Sequence, residues 1–180
     1  LERSGLHVQS FSSQSRCEAR DVALSITGQG RRHLDSWLMQ PDICAELFWQ
    51  GSQCADIGVV DGQFDAAIAG WPAGGSLDTL CTWLDLPQIA VVDAALLRPC
   101  QFPPVPAGLE GIVLDNVVDT PHLCRVQTML EAFYGVPVLG AMKGTGAWRA
   151  ALANLPPDKK PTQEFCDALG SSLLAHFRFD

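Results

Sequence analysis

Several signatures that would assign this sequence to a functional class are missing from it. Lys and Arg number 12 against 20 Asp and Glu, which gives a net charge of −8, and binding to nucleic acid or to an anionic membrane needs clustered cations. No run reaches the roughly 18 uninterrupted apolar residues of a membrane span. We therefore expect no nucleic-acid partner and no membrane.

The number and spacing of the cysteines argue against a disulfide framework and against a zinc site. There are seven of them, with no Cys-x-x-Cys, and no basic start followed by an apolar run marks a secretory signal. This pattern predicts reduced, mostly buried thiols in a cytoplasmic protein rather than a disulfide framework or a zinc site. A length of 180 residues and an apolar fraction of 47% predict one compact domain that spans residues 1–180.

Motifs for nucleophilic and phosphate chemistry are absent too. No Ser lies in a Gly-x-Ser-x-Gly elbow, and the four histidines are scattered, which argues against nucleophilic hydrolysis. Residues 28–30 and 144–146 each contain two glycines but lack a third and lack a following Lys-Ser or Lys-Thr. They are predicted to be turns and not phosphate loops.

What is present is an alternation of strands and helices. Short β-rich runs bounded by breakers predict buried strands at residues 7–11, 57–61, 89–93, 111–116 and 137–141. Amphipathic helices are predicted from residue 41, over 77–84 and 120–133, and from about residue 162, with loops at 10–30 and 99–108. The alternation predicts an α/β fold with a mostly parallel sheet and helices on both faces, whose carboxyl strand ends bind ligands.

Two helices carry more detailed predictions. In the helix that begins at Pro41, residues 43, 44, 47 and 48 are predicted to face inward. Thr120 is predicted to cap the later helix, with Pro121 at its first position.

The strand at residues 57–61 ends in Asp61 and is followed by Gly62 and, after a short gap, Asp65. An acid at this position holds Mg²⁺ or orients a substrate group near a phosphate in many proteins. The alternative is that Asp61 and Gly62 form a turn and that Asp65 is a solvated loop charge.

Two further acids lie at similar positions. In residues 33–39, His-Leu-Asp-Ser-Trp-Leu-Met, Asp35 or Ser36 is predicted to cap the next turn and Trp37 to pack in the core. Asp93 closes the strand at 89–93, where it suits phosphate or Mg²⁺ chemistry or else caps the following connector.

These strings together resemble a known family. Residues 33–39 resemble the Asn-Leu-Asp-Pro-Trp-Met signature of the cobyrinic acid a,c-diamide synthases, and residues 56–62 resemble that family's strand ending in Glu-Gly. Residues 75–94 resemble its Gly-Ser-Thr helix and Val-Val-Asp-Ala strand. Residues 111–117 resemble its Gly-Val-Ile-Leu-Asn-Arg-Val, and residues 134–141 its Leu-Gly-Ile-Pro-Val-Leu-Gly-Ala. The likeness covers residues 1–142 in the correct order.

The resemblance implies a P-loop NTPase-like fold and ATP-dependent amidation of corrinoid-precursor carboxylates, with Mg-ATP as cofactor and ammonia from a glutaminase. It places Asp61 and Asp65 as catalytic residues, with Mg²⁺ on Asp61. It also implies a substrate- or nucleotide-binding set: Leu34, Asp35, Asp93, Asp115 and Asn116. Asp115 stands at the family's Asn, which is expected near the adenine. A small-molecule substrate, a glutaminase subunit and a homodimer are the expected partners, the last by fold analogy.

The sequence also departs from the family pattern. The family's first strand and P-loop, expected before Leu1, are missing from it, and its Gly-Pro-Asp-Tyr-Ile-Asp loop aligns with residues 14–19, which retain none of those residues. Asp61 replaces a Glu, and Asp115 replaces an Asn. Three hypotheses follow: a synthase-type domain, a degenerate non-catalytic homologue that binds a ligand or partner, and another ATPase of this fold, such as a dethiobiotin synthetase or partition protein.

Overall fold

The computed structural model describes residues 4–14, 22–64, 76–98, 102–156, 159–175 and 177. The described strands pair in parallel within two three-stranded sheets, and helices pack against them, so the predicted α/β class is confirmed. The chain divides into two compact units, Leu1–Leu86 with Pro157–Pro161 and Pro87–Pro156 with Thr162–Asp180. A single domain over the whole chain stays a prediction.

The first unit contains a sheet with the strand order β2-β1-β3. Its elements in chain order are β1 (Val8–Ser12), α1 (Val22–Thr27), β2 (Arg32–His33), α2 (Pro41–Ser52), β3 (Ile57–Asp61) and α3 (Leu77–Leu84). Ser12 is in register with His33 on one side and with Asp61 on the other. Because the strands are parallel, these three residues mark the carboxyl edge of the sheet.

The core of the first unit lies directly beneath that edge. Phe11, Leu34, Cys44 and Leu80 are fully buried and form one cluster. The ring of Phe48 from α2 packs on Phe11 with centroids 4.9 Å apart. Burial of each large apolar side chain stabilises the fold by about 1.5–3 kcal/mol, so this cluster fixes the end of β1 on which the polar edge is built.

The second unit contains a sheet with the strand order β4-β5-β6. Its elements are β4 (Gln88–Asp93), β5 (Leu109–Val117), α4 (Thr120–Tyr134), β6 (Val138–Lys143), α5 (Thr145–Ala153) and α6 (Gln163–Leu174). Ile112 and Leu114 of β5 and Leu130 of α4 are fully buried. Asp93 is in register with Asp115, which brings two predicted site residues side by side.

All five predicted strands are confirmed, with ends that differ by at most two residues. Three elements were not predicted: β2, α1 and α5. The two residues of β2 are too few to show alternation, and α1 lies within the polar stretch predicted as a loop. The glycines at 144–146, predicted as a turn, precede and begin α5, with Gly144 as its N-cap at φ +65°.

The prediction that the strands are buried is right for β5 and wrong for β3 and β4. In β4 burial alternates, and Ile89 and Val91 are 49% and 63% exposed; Ile57 and Val59 of β3 are 37% and 39% exposed. Both strands stand at an end of their described strand order, so they have fewer neighbours than the central β5.

Two local predictions on the helices also fail. Ile43, predicted to face inward from α2, is 48% exposed. Asp119 caps α4 in place of Thr120: its Oδ1 accepts a hydrogen bond from the His122 backbone N at 2.7 Å. A carboxylate accepts from backbone N–H groups at a helix start more strongly than a hydroxyl, because it carries a full charge.

The cysteines partly follow the prediction. All five described cysteines are free thiols, as expected; Cys44 and Cys81 are buried, but Cys54 and Cys124 are exposed, so the thiols are not mostly buried. Over the residues that the structure describes, none of the helices has the length and apolarity needed to cross a membrane.

Candidate functional site

The carboxyl edge of the first sheet opens into a polar pocket of about 230 Å³, which we call the strand-end pocket. It lies where β1 and β3 end side by side. Its lining residues come from the ends of those strands and from the approach to β2: Ser12, Ser13, Gln14, Arg31, Asp61, Gly62 and Gln63. The predicted site residue Asp61 is therefore located in a pocket.

Asp61 is the accessible acid of this pocket. Its side chain is 58% exposed, and Oδ2 lies 3.6 Å from Nη1 of Arg31, whose side chain is only 20% exposed. That distance exceeds a normal hydrogen bond, and an exposed ion pair is screened by solvent. The carboxylate thus faces the pocket and is available to a cation or a polar ligand. Asp65 lies outside the described residues.

Ser13 is one of the residues that line the same pocket. Its backbone N donates to the Asp61 carbonyl at 2.9 Å, which ties the end of β1 to the end of β3. The side chain is on a residue only 1% exposed, yet its Oγ has no hydrogen-bond partner among the described residues. Most buried polar atoms are paired; of the described residues with a buried hydroxyl that lacks a partner, Ser10, Ser13 and Ser52, Ser13 is the one in the pocket lining.

Leu34 and Asp35, predicted from the resemblance to bind substrate or nucleotide, lie in the core cluster and at a turn of the first unit, and their binding role stays a prediction. Leu34 is fully buried in the core cluster. Asp35 is 6% exposed, and its Oδ1 accepts from the Trp37 backbone N at 3.0 Å, as in the capping alternative. Trp37 is 55% exposed, so the prediction that it packs in the core is wrong.

Cys44 in the core cluster is not an activated nucleophile. Burial raises the pKa of its thiol, and the nearby Asp35 and Asp42 carboxylates raise that pKa further. The thiolate is the reactive form of cysteine, so a raised pKa lowers its reactivity at neutral pH.

The second sheet carries a different polar cluster at its carboxyl edge, which we call the strand-end network. It consists of Asp93, Asp115, Asn116, Thr145 and Arg149. Asp93 Oδ2 accepts from Asn116 Nδ2 at 2.8 Å, which links β4 to β5. The other Asp93 oxygen accepts from the Ala95 backbone N at 2.9 Å, so Asp93 caps the turn that follows β4.

Asp115 is the centre of the network and is 1% exposed. Its Oδ1 accepts from the Asn116 backbone N at 2.8 Å and from Thr145 Oγ1 at 2.6 Å. Its Oδ2 forms an ion pair with the Arg149 guanidinium. Both carboxylate oxygens are therefore engaged within the chain.

An unusual backbone conformation makes this network possible. Asn116 has φ +53°, in the left-handed region that Asn adopts more readily than most residues. Consecutive side chains of a regular strand point to opposite faces. Here Asp115 Oδ1 and Asn116 Oδ1 both lie 2.6 Å from Thr145 Oγ1 and share its one hydroxyl proton, because the strand leaves its regular conformation at Asn116.

A second and larger pocket, of about 430 Å³, lies in the second unit between the turn after β4 and the start of α4. Asp119, His122 and Arg125 line one part of it. Asp119 caps α4, and His122 Nδ1 accepts from the Val118 backbone N at 3.3 Å. Asp119 and His122 thus make their hydrogen bonds to the backbone at the start of α4. Across the described residues, no group of three His, Cys, Asp or Glu side chains is placed to hold a metal ion.

The structure assembles Asp93, Asp115 and Asn116 as a group within the second unit, whereas Asp61 belongs to the first unit. Sequence reasoning missed Ser13, Arg31, Thr145 and Arg149. Ser13 follows β1 and Thr145 follows β6, so both lie where the rule for parallel sheets expects ligand-edge residues, but the rule does not separate them from their neighbours. No sequence signal marks Arg149.

A parallel α/β protein with polar groups at carboxyl strand ends has the architecture of many nucleotide- and cofactor-binding proteins. Comparison with proteins of known function shows which members of this class the chain is similar to. The chain is 30% identical to hydrogenobyrinate a,c-diamide synthase of Streptomyces coelicolor over 128 residues, which is 65% of this chain and 26% of the relative. It is 29% identical to cobyrinate a,c-diamide synthase of Listeria monocytogenes over 161 residues, 82% of this chain and 35% of the relative. With the same synthase of Priestia megaterium it shares 25% over 154 residues, 79% of this chain and 33% of the relative.

The resemblance drawn from the sequence motifs is thereby confirmed. The chain spans between 26% and 35% of the length of these three relatives. No protein-family model matches the chain. No solved structure matches it either.

Proposed function

We propose that this chain takes part in the ATP-dependent amidation of a carboxylate on a corrinoid precursor. The similarity to cobyrinate and hydrogenobyrinate a,c-diamide synthases carries the proposal. The strand-end pocket supports it, because Asp61 stands at a carboxyl strand end beside the cationic Arg31.

The pocket residues suit the phosphate end of Mg-ATP. Mg²⁺ is commonly bound by one or two carboxylates together with phosphate oxygens, and Asp61 would supply such a carboxylate. A pocket of about 230 Å³ is smaller than the roughly 300–1,000 Å³ of sites for whole drug-sized ligands, so it suits phosphate groups rather than a complete nucleotide. When bound, Mg-ATP would supply the phosphoryl group that activates a carboxylate for attack by ammonia. Asp65 remains a second proposed catalytic acid.

The proposal also gives the predicted binding set a role. Asp93, Asp115 and Asn116 would contact the nucleotide, and Leu34 and Asp35 would support the substrate side of the first unit. Since both oxygens of Asp115 are engaged by Asn116, Thr145 and Arg149, a nucleotide would have to approach the outside of this network or break its hydrogen bonds.

The engagement of both Asp115 oxygens favours one alternative function. A protein that binds a corrinoid or another ligand without catalysis needs no available acid at Asp115, and the closed network suits such a protein. The alternative and the main proposal differ in whether nucleotide is consumed.

The test is turnover by the purified protein. Mg-ATP, cobyrinate and either ammonia or glutamine are supplied, and ADP release and amide formation are followed by coupled assay and mass spectrometry. We expect ADP release that depends on cobyrinate and falls at least tenfold in Asp61→Asn. Asp56→Asn is the matched control, because Asp56 precedes the same strand and accepts from the His7 backbone N at 2.8 Å, away from the pocket.

Three outcomes distinguish the proposed synthase from the non-catalytic binding protein. Cobyrinate-dependent ADP release supports the enzyme. Binding of cobyrinate without ADP release supports the non-catalytic alternative. Failure to bind either Mg-ATP or cobyrinate in calorimetry contradicts both.

Partners and location complete the proposal. A glutaminase subunit would supply the ammonia, and a homodimer is expected; size-exclusion chromatography with light scattering tests the latter. The free thiols of the five described cysteines support a reducing compartment, and we propose the cytoplasm.

A further inference from the structure

Among the described residues, the Ser13 hydroxyl is one of several buried side-chain polar atoms that have no hydrogen-bond partner, and Ser13 differs from Ser10, Ser52 and Gln88 in lining the strand-end pocket. The hydroxyl belongs to a residue that is 1% exposed, and it donates to no described residue and accepts from none. A buried hydroxyl without a partner destabilises a protein unless something else satisfies it. A bound ligand in the pocket would do so.

Gly62 shows how tightly the protein surrounds this hydroxyl. A Cβ at position 62 would lie 2.0 Å from Ser13 Oγ and 2.8 Å from Ser13 Cβ. Any residue other than glycine would therefore displace the hydroxyl. Ser13, whose hydroxyl lacks a partner, and Gly62, which leaves room for that hydroxyl, thus lie together at the wall of the strand-end pocket.

Arg31 supplies the charge of the pocket. Its side chain is 20% exposed, and its Nη1 lies 3.6 Å from Oδ2 of Asp61. A largely buried guanidinium favours an anion, with which it forms charge-assisted hydrogen bonds. The hydroxyl of Ser13 is a donor of the same kind of bond.

We propose that the strand-end pocket binds an oxyanion, with the Ser13 hydroxyl donating to one of its oxygens and Arg31 balancing its charge. A phosphate and a carboxylate share this chemistry. The identity of the anion rests on the proposed function: a phosphate would belong to the nucleotide, and a carboxylate would belong to the substrate. The oxyanion site itself rests only on the contacts of Ser13, Arg31 and Gly62.

The experiment uses calorimetric titration of the wild-type protein and two variants with tripolyphosphate plus Mg²⁺ and, separately, with malonate. Ser13→Ala removes the proposed donor. Ser10→Ala is the matched control, because Ser10 Oγ is also buried and without a partner among the described residues but lies outside the pocket lining. We expect Ser13→Ala to raise the Kd for the bound anion about tenfold or more and Ser10→Ala to leave it unchanged.

A readout of stability distinguishes a binding role from a structural one. Ser13→Ala should leave the Tm of the free protein unchanged or raise it, while reducing the Tm increase that the anion produces. Equal Kd values for wild type and Ser13→Ala, or no binding of either anion by wild type, would overturn the proposal.

The results also separate this proposal from the proposed function. Anion binding that depends on Ser13, without ATP turnover, keeps the oxyanion site and rejects the synthase. Turnover unaffected by Ser13→Ala keeps the synthase and rejects the oxyanion site. Preference for tripolyphosphate over malonate identifies a phosphate site, and the reverse identifies a carboxylate site.

Discussion

The strand-end pocket and the strand-end network occupy equivalent positions, at the carboxyl edges of two parallel sheets, yet they are built in opposite ways. In the pocket, Asp61 is 58% exposed and the Ser13 hydroxyl has no partner in the described residues. In the network, Asp115 is 1% exposed and the Thr145 hydroxyl contacts two acceptors. Polar groups that are fully satisfied hold a structure together, whereas a buried group left unsatisfied at the wall of a pocket still needs a partner, which a bound ligand or water can supply.

The largest effect that this comparison predicts is in the network. Asp115→Ala removes the acceptor for Thr145 and for the Asn116 backbone N and the ion-pair partner of Arg149. We expect the free energy of unfolding in urea to fall by about 2–4 kcal/mol. Asp115→Asn, which keeps the shape and one acceptor oxygen, should lose less. A loss below about 1 kcal/mol for the alanine variant would mean that the network is not structural.

Gly62→Ala should give the next largest effect, now in the pocket. The added methyl group would lie 2.0 Å from Ser13 Oγ, and overpacking of this kind typically lowers stability by about 1–3 kcal/mol. The double variant Gly62→Ala/Ser13→Gly should recover most of the loss in urea denaturation. Gly146→Ala is the control, since a Cβ there meets no atom within 4 Å; an equal loss at that position would contradict the steric explanation.

The two hydroxyls provide the sharpest contrast. Thr145→Val removes the donor to Asp115 and Asn116 at nearly constant shape and should lower the free energy of unfolding by about 1–2 kcal/mol. Ser13→Ala removes a hydroxyl that makes no bond with the described residues, and should change it by less than about 0.5 kcal/mol or raise it. Equal losses in the two variants, measured by urea denaturation, would abolish the distinction between pocket and network.

The smallest effect is expected at Asp61. Its carboxylate is exposed and lies 3.6 Å from Arg31, and exposed ion pairs contribute about 0–1 kcal/mol. Asp61→Asn should therefore shift the free energy of unfolding by no more than about 0.5 kcal/mol, while binding of magnesium tripolyphosphate weakens. A clear loss of stability in thermal denaturation would show that the ion pair is structural.

Much of the fold was predictable because burial leaves a pattern in the sequence. The run at residues 57–61 predicted β3 with its observed ends, since aliphatic residues bounded by polar breakers are typical of a parallel strand. Thr145 was missed because its glycine neighbours indicated a turn, although they begin a helix. Exposure of Val91 was also missed, because an aliphatic strand residue looks the same at the edge of a sheet as in its centre.

The candidate site was predictable in part. Asp61, Asp93, Asp115 and Asn116 were found from the strand-end rule and the family resemblance, and the structure places each at a carboxyl edge. Whether each one binds a ligand stays a prediction. Ser13 was not singled out, because a serine beside another serine gives no sign of whether its hydroxyl will be satisfied.

By itself the sequence determined the α/β class, the strands and the positions of the acids, because hydrophobic pattern and chain order act locally. Only the tertiary structure decided that the Asp61 carboxylate is exposed to solvent and that the Asp115 carboxylate is buried in a hydrogen-bonded network. That difference depends on partners distant in the chain: Thr145 and Arg149 close around Asp115 from 30 or more residues away, while Gly62 leaves space beside Ser13. Hydrogen bonding and packing between distant segments are properties of the folded chain, so the pocket and the network are distinguishable only there.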